Sequence, residues 1–154
     1  MKKIPIGIND FRTLIENNYY YIDKTKYIED ILDDGSEVIL FTRPRRFGKT
    51  LNMSMLKYFF DIKEAEENRK LFKGLYIEKT ESFKEQGQYP VVFLSLKDLK
   101  ARTWEEMERK IIITLSDFFS EYEYLLNELT GVSFENLKNI IYKKSTIDDL
   151  TTTL

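Results

Sequence analysis

The 154 residues contain no cysteine and no histidine. The first absence excludes disulfides and thiol nucleophiles. The second excludes imidazole bases, and the two together remove the ordinary ligands of a zinc site. Any catalysis would have to draw on lysine, arginine, carboxylates or a bound metal ion. No run of 18 apolar residues is present, so a membrane-spanning helix is not expected, and Met1–Gly7 lacks the apolar stretch of a signal peptide. An excess of one charge is missing as well. With 24 basic side chains against 26 acidic ones, no global field draws the chain to nucleic acid or anionic lipid, and any polyanion site has to be local. There is no internal repeat and no low-complexity segment. These absences predict a cytoplasmic protein without a membrane partner.

What is present is apolar and aromatic content, 42% and 14% of residues, sufficient for a sizeable core in one domain covering residues 1–154. Asp10 is placed to cap a short helix that buries Phe11, Leu14 and Ile15. After Tyr19-Tyr20-Tyr21-Ile22 a second helix starts near Thr25, with Tyr27, Ile28, Ile31 and Leu32 on one face and Asp34-Gly35 as its stop. Glu37–Thr42 is a nearly continuous apolar run between a turn and a proline, the pattern of a strand buried on both faces. From Lys49 to about Ile62, Leu51, Met55, Leu56, Phe59 and Phe60 recur at helical spacing. A polar stretch at 64–69 leads through Leu71, Phe72 and Leu75 to Tyr89-Pro90 and a second apolar run, Val91–Leu96, that reads as another buried strand. Thr103 and Glu106 form a capping box for a long helix carrying Trp104, Met107, Ile111, Leu115, Phe118, Tyr122, Leu125 and Leu129, stopped by Gly131. A further helix holds Phe134, Leu137, Ile140 and Ile141, and Thr146-Ile147-Asp148-Asp149 signals the start of a last one. The alternation predicts an α/β fold, a parallel sheet between helical layers.

Between the first predicted strand and the helix after it lies Arg43-Pro44-Arg45-Arg46-Phe47-Gly48-Lys49-Thr50-Leu51. The phosphate-binding loop of P-loop NTPases reads GxxxxGK and then Ser or Thr in the same setting, because backbone N–H groups and the helix N-terminus surround an anionic phosphate. Gly48 lets the backbone approach phosphate oxygens without a Cβ. Lys49 brings a cation to the β and γ phosphates, and the Thr50 hydroxyl is the expected Mg²⁺ ligand. Residues Arg43 to Leu51 are the predicted nucleotide site, with ATP and Mg²⁺ as its ligands. Arg43 stands where the motif has its first glycine, beside Pro44 with its fixed φ. Arg43, Arg45 and Arg46 are placed to contact polyphosphate, to act in trans on a neighbouring subunit, or to lie in solvent.

A hydrolysing enzyme of this type also needs an apolar strand that ends in a carboxylate and holds the Mg²⁺ shell. Ile111–Asp117 imitates one, but inside the capped helix, so Asp117 reads as a solvated helix residue. Asp98 comes after Ser95-Leu96-Lys97 rather than directly after the apolar run. Tyr19-Tyr20-Tyr21 has the chemistry to stack on a base and equally the composition of half-buried core. No catalytic acid–base pair emerges.

With these residues the chain resembles the N-terminal part of the predicted AAA-ATPase-like family of prokaryotes, whose members often carry a PD-(D/E)XK nuclease-like domain after the ATPase. The resemblance rests on Ile4-Pro5-Ile6-Gly7-Ile8-Asn9-Asp10-Phe11, on Tyr20-Tyr21-Ile22-Asp23-Lys24-Thr25, on Leu40 to Leu56, on Phe72-Lys73-Gly74-Leu75 and on Phe93 to Asp98. In that family the arginine-rich loop is the normal form of the phosphate motif, so Arg43 in place of glycine does not imply a dead site. The resemblance implies a P-loop NTPase three-layer α/β/α sandwich, apparently truncated before the Walker B strand, which follows the helix beginning near Thr146. With the sheet order of additional-strand P-loop ATPases, the runs at Val38–Thr42 and Val91–Leu96 are not neighbours, and the gapped sheet offers an apolar edge for self-association. The leading expectation is MgATP binding through a Walker A loop, with hydrolysis only in the full-length protein. One alternative is a non-catalytic module whose Arg43, Arg45 and Arg46 bind a nucleic-acid backbone or a partner's acidic surface. Another is a remnant that folds and binds nothing. Steep salt dependence without a need for Mg²⁺ marks the first alternative.

Overall fold

Local chemistry sets where the helices begin. The computed structural model describes residues 1–97, 99–121, 123 and 131–142. Helix α1 spans Phe11–Glu16, and Asp10 caps it by accepting from Thr13 N at 2.8 Å, as the sequence predicts. Helix α2, Lys26–Asp33, buries Ile28, and α3, Lys49–Phe60, buries Ser54, Met55 and Phe59. Helix α4, Ala65–Lys70, and two 3₁₀ turns at Tyr76–Lys79 and Glu81–Glu85 follow. Helix α5 covers Trp104–Ser120, with Thr103 Oγ1 accepting from Glu106 N at 3.2 Å. Helix α6 is Gly131–Ile141, so Gly131, expected to stop a helix, opens one. The expected continuation of α5 through Tyr122, Leu125 and Leu129, the helix signalled at Thr146, and Asp98 lie outside the described residues.

Residues Met1–Phe93 form one compact unit, and the described residues from Leu94 onward belong to a second. In the first unit, Phe11, Ile28, Met55, Phe59, Leu71, Phe72 and Ile77 make the core. Its centre is aromatic: Phe72 stacks on Phe11 at 5.2 Å between centroids and meets Phe59 edge-on at 5.3 Å. In the second unit, Leu115 of α5 packs against Ile140 of α6, and Ser116 Oγ donates to Ile141 O at 2.7 Å.

The predicted P-loop NTPase sandwich, an α/β/α arrangement truncated before its acidic strand, is overturned: the described residues are helical and contain no sheet. A strand buried on both faces needs a ladder partner for its N–H and C=O groups and a covering layer on each side. Neither apolar run joins a sheet, and each leaves large apolar side chains uncovered. Val38 and Leu40 are 83% and 81% exposed, and Val92 and Leu96 are 67% and 61% exposed. The β-type contact among the described residues is an isolated parallel bridge between Asp61 and Tyr89. There Ile62 N donates to Tyr89 O at 2.7 Å and Tyr89 N to Phe60 O at 3.0 Å.

Candidate functional site

The segment from Arg43 to Gly48 turns sharply because two of its residues sit in the left-handed region, Arg46 at φ 68 and Gly48 at φ 73. Gly48 is the N-cap of α3 and offers no side-chain cap to the first turn. An added Cβ at Gly48 would meet nothing within 4 Å. The dihedral favours the glycine, and the space above it is open. The helix start therefore presents N–H groups without a side-chain acceptor, together with the positive end of the α3 dipole.

Lys49 folds back over the loop. Its Nζ donates to Arg43 O at 2.5 Å and to Pro44 O at 2.9 Å, which closes residues 43–49 into a ring and fixes the ammonium beside the helix start. Thr50, Arg43, Arg45 and Arg46 are exposed. None of the three arginines joins an ion pair among the described residues.

A cleft of about 770 Å³ opens here. One wall is Pro5–Asn9, and the other is Arg45, Arg46 and the first turn from Gly48 to Leu51. Just beyond each wall in the chain, Phe11 N donates to Ser54 Oγ of α3 at 2.9 Å. The predicted site residues are thus divided. Arg45, Arg46, Gly48, Lys49, Thr50 and Leu51 face the first cleft. Arg43, Phe47 and Lys49 line a second, more apolar cleft of about 570 Å³ with Tyr27, Phe41 and Met53. Pro44 lines neither and contributes its carbonyl to Lys49.

Pro5–Asn9 joins the cleft although no motif in the sequence predicts a site role for it. Its signal was the punctuation of Pro5 and Gly7, the latter at φ 78. Tyr21, weighed as a base-stacking residue, belongs to the core: its ring meets Phe11 edge-on at 5.5 Å, its hydroxyl reaches Met55 Sδ at 3.4 Å, and burial pushes its phenol up to about 12. Asp117 lies exposed on α5. Among the described residues no group of three or more acidic side chains is gathered as a metal site, and no helix is long and apolar enough to cross a membrane.

Over residues 5–151 the chain matches the AAA-ATPase-like family, described as predicted AAA-ATPase. The chain belongs to that family. An uncharacterized protein in the vnfD 5' region of Azotobacter chroococcum mcd 1 is 33% identical to this AAA-ATPase-like chain over 119 residues, which is 75% of the chain and 22% of the relative's length. The chain therefore spans under a quarter of that relative. No solved structure matches it. The family description suggests ATPase-like nucleotide binding, with ATP and Mg²⁺ as the ligands such a protein takes.

Proposed function

We propose that the chain binds MgATP in the cleft between Pro5–Asn9 and the loop at Arg43 to Leu51, with the polyphosphate at the α3 N-terminus. The observation that carries the reading is the meeting, on one wall of a cleft of about 770 Å³, of left-handed Gly48, a helix start without a side-chain cap, Lys49, Thr50 and two arginines that join no ion pair among the described residues. The volume falls in the range of about 300–1,000 Å³ usual for small-molecule sites. In this reading the N–H groups that open α3 donate to phosphate oxygens, and the helix dipole favours the negative charge. Lys49 keeps a third donor for phosphate beyond the two held by Arg43 O and Pro44 O. Arg45 and Arg46 offer forked donors along the same wall. The Thr50 hydroxyl suits the hard, oxygen-seeking Mg²⁺, which when bound would offset part of the phosphate charge. Leu51 contributes its place in the helix start.

The test is thermal unfolding of the wild type and Lys49→Ala with MgATP and MgGTP. A ligand at about 100 times its Kd stabilises the native state by about 2.7 kcal/mol, a shift of about 5–10 °C for a chain of this size. The expected outcome is a shift that needs both Mg²⁺ and Lys49. Absence of a shift in folded wild type would refute the proposal. Binding that survives Lys49→Ala, needs no Mg²⁺ and collapses with salt would point instead to a nucleic-acid backbone held by the arginines.

A further inference from the structure

Pro5–Asn9 lies outside any helix, so its position against the loop depends on its two ends: Lys3 O before it accepts from Tyr20 N at 2.8 Å, and on the side toward α3 it depends on the residues just after it. Those are Asp10 and Phe11, and both are fastened to α3. Ser54, buried to 6% exposure, accepts from Phe11 N at 2.9 Å and donates to Leu51 O at 2.8 Å. One hydroxyl therefore links the start of α1 to the first turn of α3, whose residues from Lys49 to Leu51 line the cleft. About one turn further along α3, Tyr58 OH donates to Asp10 Oδ2 at 2.9 Å, while Asp10 Oδ1 caps α1. The Phe11 ring is locked between Tyr21 and Phe72. The Ser54 link lies nearer the cleft, and it alone of the two joins backbone to backbone through a single side-chain atom.

We propose that Ser54 is a positioning residue that sets the separation of the two cleft walls, and so decides how well the nucleoside end of the ligand is held. The inference rests on the reading of this cleft as the MgATP site. The polyphosphate would sit on the α3 side, where the loop and helix N–H groups do not depend on Ser54. The base and sugar would extend toward Pro5–Asn9, whose position does. Loss of the hydroxyl frees the Phe11 N–H from its partner in a buried place and lets the N-terminal wall move relative to the loop. Affinity for the nucleoside part falls, and affinity for phosphate alone stays.

The experiment compares MgATP with magnesium tripolyphosphate by titration calorimetry on the wild type and Ser54→Ala, at a temperature where circular dichroism shows both proteins folded. The expected result is that wild type prefers MgATP. Ser54→Ala should weaken MgATP by about tenfold, the scale of one lost hydrogen bond, and change tripolyphosphate by less than about twofold. A merely structural role would move both ligands together, and an equal loss overturns the inference. Should Ser54→Ala fail to fold, Tyr58→Phe removes the neighbouring clamp at a half-buried side chain and is expected to show the same preference for weakening MgATP. If wild type binds the two ligands equally, the inference is overturned while the MgATP reading stands. If wild type binds neither, both are overturned.

Discussion

Arg46 combines a strained backbone with a charge on the cleft wall, and two substitutions separate those properties. Its φ of 68 lies in the left-handed region, where a residue carrying a Cβ is disfavoured by about 1–2 kcal/mol. Arg46→Ala keeps that strain and removes the guanidinium. Arg46→Gly removes both, at a cost of about 0.5–1 kcal/mol from the greater freedom of glycine in the unfolded chain. The glycine variant should therefore be the more stable of the two by about 0.5–1 kcal/mol, the reverse of the usual ranking of alanine and glycine, and about 1–4 °C in Tm. Urea unfolding without ligand reads this difference. In the proposed site both variants lose the same exposed cation, so both should bind MgATP about two- to fivefold more weakly. A glycine variant less stable than the alanine variant would refute the backbone reasoning. Unchanged affinity in both would refute the placing of the Arg46 charge beside the ligand.

Two further perturbations test the framework that holds the loop. At Gly87 the φ is +71, and an added Cβ would lie 2.5 Å from Ala65 Cβ, so Gly87→Ala is expected to destabilise by about 2–4 kcal/mol. Urea unfolding of the pair with Ala65→Gly should recover the steric part and leave the dihedral part. Asp23 accepts from Thr25 N, Thr25 Oγ1 and Tyr76 N at 2.8, 2.7 and 2.7 Å. Burial by itself would raise its pKa, but these hydrogen bonds outweigh burial and hold the carboxyl below its ordinary 3.8. Asp10 is lowered in the same way, with burial opposed by Thr13, Tyr58 and Arg12. A lowered native pKa means that the stabilisation is fully present above the unfolded value of about 3.9. It is lost as pH falls through that value and on through the lowered native one. Acid titration of stability should steepen below about pH 4, and Asp23→Asn should be less stable at pH 7 with a flatter acid limb.

How much the sequence disclosed varies with how local each determinant is. The starts of α1 and α5 were legible because Asp10 and Thr103 cap through N–H groups within three residues of themselves. The short helix α4 was not, because nothing apolar marks it. Its buried Asn68 is satisfied from outside, accepting from Arg12 Nη2 at 2.7 Å and donating to Lys63 O at 2.9 Å. The two expected strands failed for a different reason. An apolar run such as Val38–Phe41 states a need for burial, while strand formation depends on a neighbour that no local pattern supplies. In the candidate site, the motif singles out Gly48, Lys49 and Thr50, but it carries no signal for the division of the arginines between two clefts or for the wall at Pro5–Asn9. That wall reaches the loop through the bond of Phe11 N to Ser54 Oγ, a contact across 43 positions in the chain.

The proposed phosphate site does not rest on the predicted sheet, and the reason lies in what holds the loop. A strand before the loop would fix only one of its ends. The geometry that matters is set by Arg46 and Gly48 in the left-handed region, by Lys49 bonded to the carbonyls of Arg43 and Pro44, and by α3, anchored in the core through Met55 and Phe59. Every one of these lies within the loop or the helix it opens. The proposed phosphate site thus depends on the join between loop and helix rather than on the layer architecture, consistent with the general separation of site from fold.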